Sequence, residues 1–533
     1  MALMHNKLCN RFKTVLSKKL FAIFLIFLLT IFVVSSIAMK NNISLHEIKN
    51  LRKTYESIIS FSKNYEMTKP QLRNFENMMK VWKHDESEIN VTKISSWYMI
   101  INEPGYYELT QDIMNCTCQV GIYINASNVI LDGKGHILDG KRNSNDASSS
   151  IYGIYINNKN NITIKNIIIN DWNTAGIYIF TASNIYIYNV TVQNSKNGII
   201  SAGGWPLSST SINISIYDSI IQNNRIGIHF TCIVNAKIYH NVIRNNRDGG
   251  IWIYESPNVE IQYNIICDNY DGIALTDTLG IKIYKNVLQN NNHYEILSWC
   301  SSSIDISNNF MKNSSFGIFL YKSPWTGIYN NTIVDCRNYL IYSKGSSKIK
   351  VCFNILQNSY YGVRIICSSN SEIRGNLIQN SEYGLYLGDV KNSIITENTI
   401  QNNSYGIWLA WSDGNIIYLN NFIDNTEQYY IYKSHSQFYS AEPIMYAYGN
   451  KVYANYTGNY WSDYQGADTN NDGIGNSPYG PDKYPLVGKV GETIKIIGTT
   501  FIPLLTNVII FIVSLVLIVF VILVVRKKKL SVK

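Results

Sequence analysis

The stretch "NTIQNNSYGIWLAW", residues 398–411, holds a short asparagine-rich segment followed by Gly406, Ile407, Trp408 and Leu409. Successive side chains of a β-strand point to opposite sides. If Ile407 and Leu409 face a core, Trp408 therefore points outward, where a large apolar ring forfeits the stabilisation that burial gives. The interpretation depends on whether this stretch is unique or one copy of many.

The stretch is one copy of many. A pattern of asparagine, an apolar residue two positions later and Asn or Asp four positions later recurs nine times at spacings of 22 or 23 residues. The anchors are Asn241, Asn264, Asn286, Asn309, Asn331, Asn354, Asn376, Asn398 and Asn421; the last position of the pattern holds Asn245, Asp268, Asn290, Asn313, Asp335, Asn358, Asn380, Asn402 and Asn425. A repeat this short predicts a solenoid.

The units predict a right-handed parallel β-helix with coils of 22–23 residues. Each unit is short apolar alternation rich in Ile, Tyr and Val and broken by Asn and Gly, which is typical of strands and turns. Helical repeats need long amphipathic segments, and the leucine pattern of leucine-rich repeats is absent. Asparagine tolerates left-handed backbone at turns, stacked amides can hydrogen-bond from coil to coil, and the glycine before each strand supplies permissive backbone.

Both ends of the chain predict membrane topology. Residues 1–19 are basic, residues 20–38 are an apolar run that is either a signal peptide or an uncleaved anchor, and residues 508–525 predict a transmembrane helix followed by a basic tail. The remaining predicted segments are a helical stalk or cap over 39–95 (or a coiled-coil oligomerisation element), the β-helix over 96–440, a C-terminal block over 441–490, a linker over 491–507 and the tail over 526–533.

The charge distribution agrees with a β-helix outside the cell. The net charge is +9, the two basic tips carry five positive charges each, and the remainder carries about −1. A nucleic-acid-binding protein would carry its basic surface on the folded domain, so this class is excluded. N-x-S/T triplets, for example at Asn161 and Asn313, are consistent with a glycosylated surface protein. The sequence does not predict an oligomeric state.

The cysteines allow several pairings. Cys232, Cys300 and Cys367 share a repeat position but are three coils apart, roughly 14 Å, which is too far for a disulfide. Cys116 and Cys118 are close in sequence, and extracellular cysteines usually pair. The connectivity stays open, as does a buried unpaired role for several of them.

The block after the repeats, "GNYWSDYQGADTNNDGIGNSPYGPDKYPLV" at residues 458–487, contains a calcium-loop pattern. Asp468, Asn470, Asp472, Gly473 and Ile474 match positions 1, 3, 5, 6 and 7 of such a loop, where oxygen ligands alternate and glycine makes the sharp turn. The sequence thus predicts a Ca²⁺ site. Position 12 holds Tyr479 instead of a bidentate glutamate, so a carboxylate from Asp482 or Asp463 would have to substitute; the alternative is a cluster of Asx turns.

The coils together with this block resemble the NosD family and the related carbohydrate-binding and sugar-hydrolase β-helix repeats of archaeal surfaces. The likeness spans roughly residues 105–487 and is carried by the coil pattern and by the Trp-Ser-Asp-Tyr and Asp-Gly-Ile-Gly segments. It implies a right-handed β-helix and, for NosD itself, assistance in building the copper site of nitrous oxide reductase. The outer histidines are scattered through the sequence, so we carry over the fold and keep copper-site maturation as an alternative function.

A catalytic hypothesis concerns Asp248, Asp271 and His293. Asp248 and Asp271 each lie seven residues after their anchors, and His293 is in the next equivalent position. Stacked coils would set the two carboxylates about 5 Å apart, a separation compatible with a retaining glycosidase. Later coils hold Phe316, Asn338, Tyr361, Tyr383 and Tyr405 at this position, so a column of structural turn residues is the alternative.

The outward position of the strand carries a column of aromatic residues. Two positions after each strand opening stand Trp252, Ala274, Leu297, Phe319, Tyr342, Arg364, Tyr386 and Trp408, of which five are aromatic. We predict that Trp252, Phe319, Tyr342, Tyr386 and Trp408 bind extended glycans at the cell surface, because ring faces and polar edges suit sugar chains. The alternatives are aromatic stacking for stability alone, a surface-layer or adhesion role, and a polysaccharide hydrolase or lyase.

Overall fold

The computed structural model describes residues 91–141, 151–204 and 211–497, and these form the predicted right-handed parallel β-helix, of about 14 coils. Strand Val91–Ile94 belongs to the first coil, so the β-helix begins within the range predicted to be helical. No described residues form a helix long and apolar enough to cross a membrane. The apolar segments 20–38 and 508–525, and residues 39–90 of the predicted stalk, lie outside the described residues.

Each coil contributes to three faces. Face 1 is a 16-stranded sheet. Its strands are Val91–Ile94, Gly105–Leu109, Val129–Asp132, Asn160–Lys165, Ser183–Tyr188, Ser211–Tyr217, Ile233–Val234, Lys237–Tyr239, Glu260–Gln262, Lys282–Tyr284, Asp305–Ser307, Gly327–Tyr329, Lys350–Cys352, Glu372–Arg374, Ile394–Thr396 and Ile416–Tyr418.

Faces 2 and 3 together make a 28-stranded sheet. Face 2 comprises Ile113–Cys116, Ile137–Gly140, Ile168–Asn170, Thr191–Gln193, Ile220–Gln222, Val242–Arg244, Ile265–Cys267, Val287–Gln289, Phe310–Lys312, Thr332–Val334, Thr399–Gln401, Asn421–Ile423 and Tyr460–Trp461. Face 3 comprises Met99–Ile101, Val120–Ile124, Tyr152–Asn157, Ala175–Phe180, Asn197–Ala202, Ile226–Thr231, Gly249–Tyr254, Asp271–Thr276, Tyr294–Trp299, Phe316–Tyr321, Tyr339–Lys344, Tyr405–Ala410 and Glu427–Tyr432. Ile355–Ser369 and Leu377–Lys391 run through both faces.

Strand alternation fills the interior with aliphatic side chains. Ile251 and Ile253, which flank Trp252, are buried, and so are Leu385 and Leu387 on either side of Tyr386. Parallel pairing places each such residue on its equivalent in the next coil, as Ile251 on Ile273, so the side chains form continuous apolar columns. Complete burial of one such side chain stabilises the fold by roughly 1.5–3 kcal/mol, repeated in every coil. The predicted inward aliphatic positions are confirmed.

The anchor asparagines form an unbroken buried ladder. Its members are Asn241, Asn264, Asn286, Asn309, Asn331, Asn354, Asn376, Asn398, Asn420 and Asn459. Asn331 is typical: its Nδ2 donates to the carbonyl oxygen of Ile306 at 2.8 Å and to Oδ1 of Asn354 at 3.1 Å, while its own Oδ1 accepts from both nitrogens of Asn309. Every amide group is satisfied, which is what burial of a polar side chain requires.

The ladder corrects the last predicted anchor. Asn420, rather than Asn421, continues the ladder, so this coil is 22 residues long and Asp424 takes the turn position assigned to Asn425. In the other eight coils the turn position holds Asn or Asp with φ between 54° and 62°. These residue types are those that tolerate the left-handed conformation best. The predicted role of Asn and Asp at turns is confirmed there.

The glycine that opens each strand of face 3 has a different role from the one predicted. Gly384 and Gly406 have no left-handed φ. At Gly384 an added Cβ would lie 2.8 Å from the carbonyl oxygen of Gly406, and at Gly406 it would lie 2.5 Å from that of Gln428. Glycine is therefore required because successive coils approach closely here, and not because the backbone adopts an unusual conformation.

A second buried polar column is interrupted. Asn224, Asn246, Asn269 and Asn291 bond in sequence as the first ladder does, but the next coils place Ser314 and Cys336 there. Glu295 is fully buried beside the gap, where its carboxyl accepts from Nδ2 of Asn291. Burial raises the pKa of Glu295 well above its usual value, so the neutral acid is favoured.

The C-terminal block closes the ladder. Asp482 is buried and accepts hydrogen bonds from the backbone nitrogen of Asn459 at 2.7 Å and from Nε1 of Trp461 at 2.9 Å, while Trp461 stacks on Phe422. Burial raises the pKa of Asp482 to about 6, although Trp461, Asn459 and Tyr484 donate to it. An antiparallel sheet of Ile444–Tyr448, Lys451–Asn455 and Ile494–Ile496 packs in the same block. The Trp-Ser-Asp-Tyr segment is thus part of a cap.

Cys116 and Cys118 form a disulfide, one of the pairings that the sequence left open. The remaining cysteines of the described ranges are free thiols: Cys232, Cys267, Cys300, Cys336, Cys352 and Cys367. Cys232 and Cys300 both occupy left-handed corner positions, in agreement with a shared repeat column. Cys352 and Cys367 do not pair.

Candidate functional site

Face 3 carries the predicted binding residues in one column. This tryptophan column runs through consecutive coils as His229, Trp252, Ala274, Leu297, Phe319, Tyr342, Arg364, Tyr386, Trp408 and Tyr430. Its position between two inward aliphatic columns directs every member away from the core. Seven coil steps separate Trp252 from Trp408, or about 34 Å at the spacing of paired strands.

Trp408 is half-buried, not fully exposed as the alternation alone predicts. Its ring stacks on Tyr430 at 3.9 Å between centroids and on Tyr386 at 6.2 Å, and it receives the edge of Tyr405 at 5.0 Å. Neighbouring coils therefore shield part of the indole, while the outer part of the ring remains accessible. The protein itself therefore supplies part of the burial that the strand pattern alone denies to Trp408.

A second column of rings lies beside the first on face 3. This tyrosine column consists of Tyr294, Phe316, Tyr339, Tyr361, Tyr383 and Tyr405. Consecutive centroids are 4.7 to 5.4 Å apart, and most of the rings are stacked nearly parallel to their neighbours. The side chains are half-buried. The two columns together present a band of aromatic rings over six successive coils.

The tyrosine column has a signal in the sequence: an aromatic residue directly precedes the glycine that opens the face 3 strand, as in Tyr383-Gly384 and Tyr405-Gly406. Counting a fixed number of residues from the anchor asparagine hides this signal, because the coils differ in length by one residue. Coils of 23 residues place their extra residue in the corner before face 3, so Tyr339 stands where counting from the anchor assigns Asn338. A corner residue changes no pairing within the strands, so the strand pattern does not reveal it.

The same slip changes the catalytic hypothesis. Asp271 pairs with Gly249 in the preceding coil instead of with Asp248. The carboxylate of Asp248 is bound by Arg225 and by Arg247, and although burial raises the pKa of Asp248, these guanidinium groups lower it overall. The prediction that the two aspartates stack in register is therefore wrong, because the coil between them is one residue longer.

Asp271 and His293 do come together. His293 Nδ1 lies 3.2 Å from Oδ1 of Asp271, and the imidazole packs against Tyr294 with 3.9 Å between ring centroids. Asp271 is buried, and burial raises its pKa, while His293 and the backbone of Tyr294 oppose the rise. His293 lies in the coil where the tyrosine column begins, and Asp271 lies in the coil before it. A carboxylate and an imidazole in contact can exchange a proton with a group that approaches them.

The predicted calcium-loop residues form a closed turn. Asp468 accepts hydrogen bonds from the backbone nitrogens of Asp472 at 3.1 Å and Gly473 at 2.8 Å, and Asp472 accepts from Asn470 and from the backbone nitrogen of Ile474. This geometry fits both a cation loop and a cluster of Asx turns.

Both substitutes for the missing glutamate already accept hydrogen bonds from other residues. Both oxygens of Asp482 already accept bonds within the cap, and Asp463 accepts from the hydroxyl of Tyr479 at 2.7 Å. Across the described ranges, no group of three or more His, Cys, Asp or Glu side chains is arranged to hold a metal ion. A Ca²⁺ ion would therefore have to be held by the short loop itself, with carbonyl and amide oxygens completing the coordination.

Two family models match the chain. One, described as periplasmic copper-binding protein (NosD), matches residues 290–466, and the other, described as right handed beta helix region, matches residues 110–257 and 152–311. None of the curated proteins compared with the chain matches it.

Solved structures with a similar fold include three whose names concern different activities. The periplasmic alginate epimerase AlgG is 14% identical, with 63% of this chain and 77% of that chain covered and a TM-score of 0.38. The Dettilon tailspike protein is 13% identical, with 67% and 65% covered and a TM-score of 0.36. PfbA, a surface adhesin of Streptococcus pneumoniae, is 14% identical, with 68% and 91% covered and a TM-score of 0.26. At these identities and TM-scores, the likenesses carry no argument about this chain.

Proposed function

Since the chain belongs to the NosD-like family of right-handed β-helix repeat proteins, we propose that it binds extended glycans or polysaccharides along face 3. One observation carries the proposal: the tryptophan and tyrosine columns lie side by side over six coils with their outer ring surfaces accessible. Such a band offers apolar ring faces to the faces of sugar rings and hydroxyl edges to their substituents. Its length along the solenoid suits a chain-like ligand rather than a small molecule.

A set of three substitutions tests the proposal. Trp252→Ala, Tyr386→Ala and Trp408→Ala in the full-length protein are expected to weaken polysaccharide binding in affinity electrophoresis by tenfold or more, since each ring supplies about 0.5–1.5 kcal/mol of contact. The far-ultraviolet circular dichroism should stay unchanged.

Face 1 offers a matched control. Tyr188, Tyr217 and Tyr239 stack there at 4.9 and 4.8 Å between centroids, so their replacement by alanine removes the same kind of ring ladder from a different face. The control protein should bind like the unmodified one. Equal binding by all three proteins would refute a binding role for face 3 and leave the rings as structural stacking.

The proposed location is the outer side of a membrane. The support is the basic and apolar segments at both ends, the family description as periplasmic, and the Cys116–Cys118 disulfide, since disulfides persist in oxidising compartments. Protease added to intact cells should remove the β-helix and leave the C-terminal segment with the membrane. An intact chain, under conditions that digest a known surface protein, would contradict this location.

We further propose that the loop at Asp468 and Asp472 binds Ca²⁺ with millimolar to micromolar affinity. A cation that binds only the folded loop raises its stability by mass action. Addition of Ca²⁺ to chelator-treated protein should raise the Tm, and Asp468→Ala with Asp472→Ala should abolish the rise. An unchanged Tm in the unmodified protein would assign the loop to Asx turns alone.

A second candidate function, polysaccharide cleavage, is favoured by the contact between Asp271 and His293 at the start of the tyrosine column. There Asp271 would act as the proton-transferring carboxyl and His293 as its positioning partner. Asp271→Asn should abolish the release of sugars from a bound polysaccharide while binding persists. The absence of any released sugar from the unmodified protein would restrict face 3 to binding.

A further inference from the structure

Arg364 is the one cation among the rings of the tryptophan column between Phe319 and Tyr430. The coils before and after it hold Tyr342 and Tyr386 at the same position, so an aromatic residue at position 364 would stack as Tyr386 and Trp408 do. The interruption therefore places a positive charge in the middle of the aromatic band. The charge is permanent, because a guanidinium group does not lose its proton at accessible pH.

Four tyrosine rings surround the guanidinium group. Its central carbon lies 4.9 Å from the ring centroid of Tyr361, 5.1 Å from that of Tyr386, 5.3 Å from that of Tyr342 and 5.6 Å from that of Tyr339. Nη1 donates a hydrogen bond to the hydroxyl of Tyr339 at 2.8 Å. These contacts hold the group in one orientation on the outer side of face 3.

The charge has no carboxylate partner within the described parts of the chain. Burial lowers the pKa of Arg364 and the surrounding tyrosines raise it by more, and no acid contributes. Nε is buried without an acceptor. Arg374 on face 1 shows the usual arrangement: its guanidinium donates two hydrogen bonds to Glu397, at 3.1 and 2.9 Å.

Cation–π contact alone does not account for this arrangement. Ring contacts stabilise the positive charge, but they leave guanidinium donors unused, and an unused buried donor is costly. An external anion would use the donors of the outer Nη nitrogens, since only Nε is enclosed. The planar fork of a guanidinium matches the two oxygens of a carboxylate, and the surrounding rings would exclude water from the bond and strengthen it.

We propose that Arg364 is the subsite for the carboxylate of an acidic sugar, so that the polysaccharide bound along face 3 is a polyuronate. This rests on the proposed glycan-binding function. The sugar rings lie over the tyrosine and tryptophan columns, and one carboxylate is seated at Arg364 by charge-assisted hydrogen bonds.

The test uses a matched pair of polymers and the full-length protein. Polygalacturonate should bind about tenfold more tightly than its fully methyl-esterified form, which keeps the sugar backbone but replaces each carboxylate by a neutral methyl ester, and added salt should reduce the difference. Arg364→Gln should remove the preference, so that acid and ester bind with equal affinity. Arg364→Lys, which keeps the charge and loses the fork, should retain only part of the preference. Lys350→Gln, an equal loss of charge on face 1, should retain all of it.

The outcomes separate this inference from the proposed function. Equal affinities of the unmodified protein for acid and ester, or an undiminished preference in Arg364→Gln, would overturn the carboxylate subsite while glycan binding stands. A polymer of neutral sugars made anionic by sulfate esters, if it binds more tightly than polygalacturonate and loses that advantage in Arg364→Gln, would also overturn the carboxylate assignment. Failure of every polymer to bind would instead refute the glycan-binding function itself.

Discussion

The asparagine ladder and the aromatic columns are made by the same repeat, one residue from each coil, yet they tolerate variation very differently. From Asn241 to Asn459 the ladder contains asparagine only. The tryptophan column contains Trp, Tyr and Phe but also Ala274, Leu297 and Arg364. The ladder is buried, so each amide must satisfy fixed donors and acceptors. The columns are half-exposed, so their outer atoms contact water and no fixed hydrogen-bond pattern selects one residue type. Aromatic residues on face 3 are thus not imposed by the fold.

The largest effect should come from breaking the ladder. Asn331→Leu keeps the branched outline of the side chain, but it removes the acceptor of the backbone nitrogen of Asn309 and the side-chain donor to the carbonyl oxygen of Ile306. Oδ1 of Asn354 keeps only the backbone nitrogen of residue 331 as a donor. We expect the free energy of unfolding to fall by roughly 3–5 kcal/mol in a denaturant titration.

Its control is Asn380→Gly. Asn380 is an exposed turn asparagine with φ 56°, which glycine adopts without strain, so the loss should stay below about 1 kcal/mol. Similar losses in the two variants would show that burial does not distinguish the ladder from the turns.

The end of the ladder should respond to pH. Folded Asp482 keeps its proton up to about pH 6, whereas an unfolded aspartate loses it near pH 4, so its contribution to the free energy of unfolding falls as the pH rises from about 4 to about 6 and is constant above. The expected fall is about 3 kcal/mol. Asp482→Asn should lack it, and a matching fall in that variant would assign the effect to other groups.

Loss of the hydrogen bond from Trp461 to Asp482 in the cap should have a smaller effect on stability. Trp461→Phe keeps a ring stacked on Phe422 and removes the nitrogen that donates to Asp482. Because that donor favours the ionised carboxylate, the variant should lose about 1–2 kcal/mol at pH 7 and less at pH 4.5, where the carboxyl is neutral. Equal losses at both pH values, measured by denaturant titration, would assign the effect to packing.

The smallest effect should come from the aromatic columns. Tyr383 contacts Tyr361 and Tyr405 at 4.7 and 5.0 Å between centroids on a half-exposed surface. Tyr383→Leu should change the free energy of unfolding by less than about 1 kcal/mol, since a cross-strand pair contributes only tenths. A loss comparable with that of Asn331→Leu would show that the tyrosine column is needed for stability. The difference between the asparagine ladder and the aromatic columns, which supports the binding proposal, would then disappear.

The sequence by itself determined the β-helix, its coil length, the inward aliphatic columns and the outward position of Trp408. These features follow from strand alternation and from a sequence pattern that is complete within each coil. It also determined that Asn and Asp occupy the turns, because few other residues tolerate a left-handed backbone.

Only the tertiary structure decided the register at the corners between faces, and with it which side chains of neighbouring coils lie beside one another. An extra corner residue in each of two coils leaves every strand pattern intact. In one coil it places Gly249 instead of Asp248 beside Asp271, and in the other it aligns Tyr339 with Phe316 and Tyr361. Likewise, the surroundings of Arg364 depend on the coils above and below it. Position along the chain predicts which side a residue faces, whereas contacts between coils depend on loop lengths, which hydrophobic periodicity does not encode.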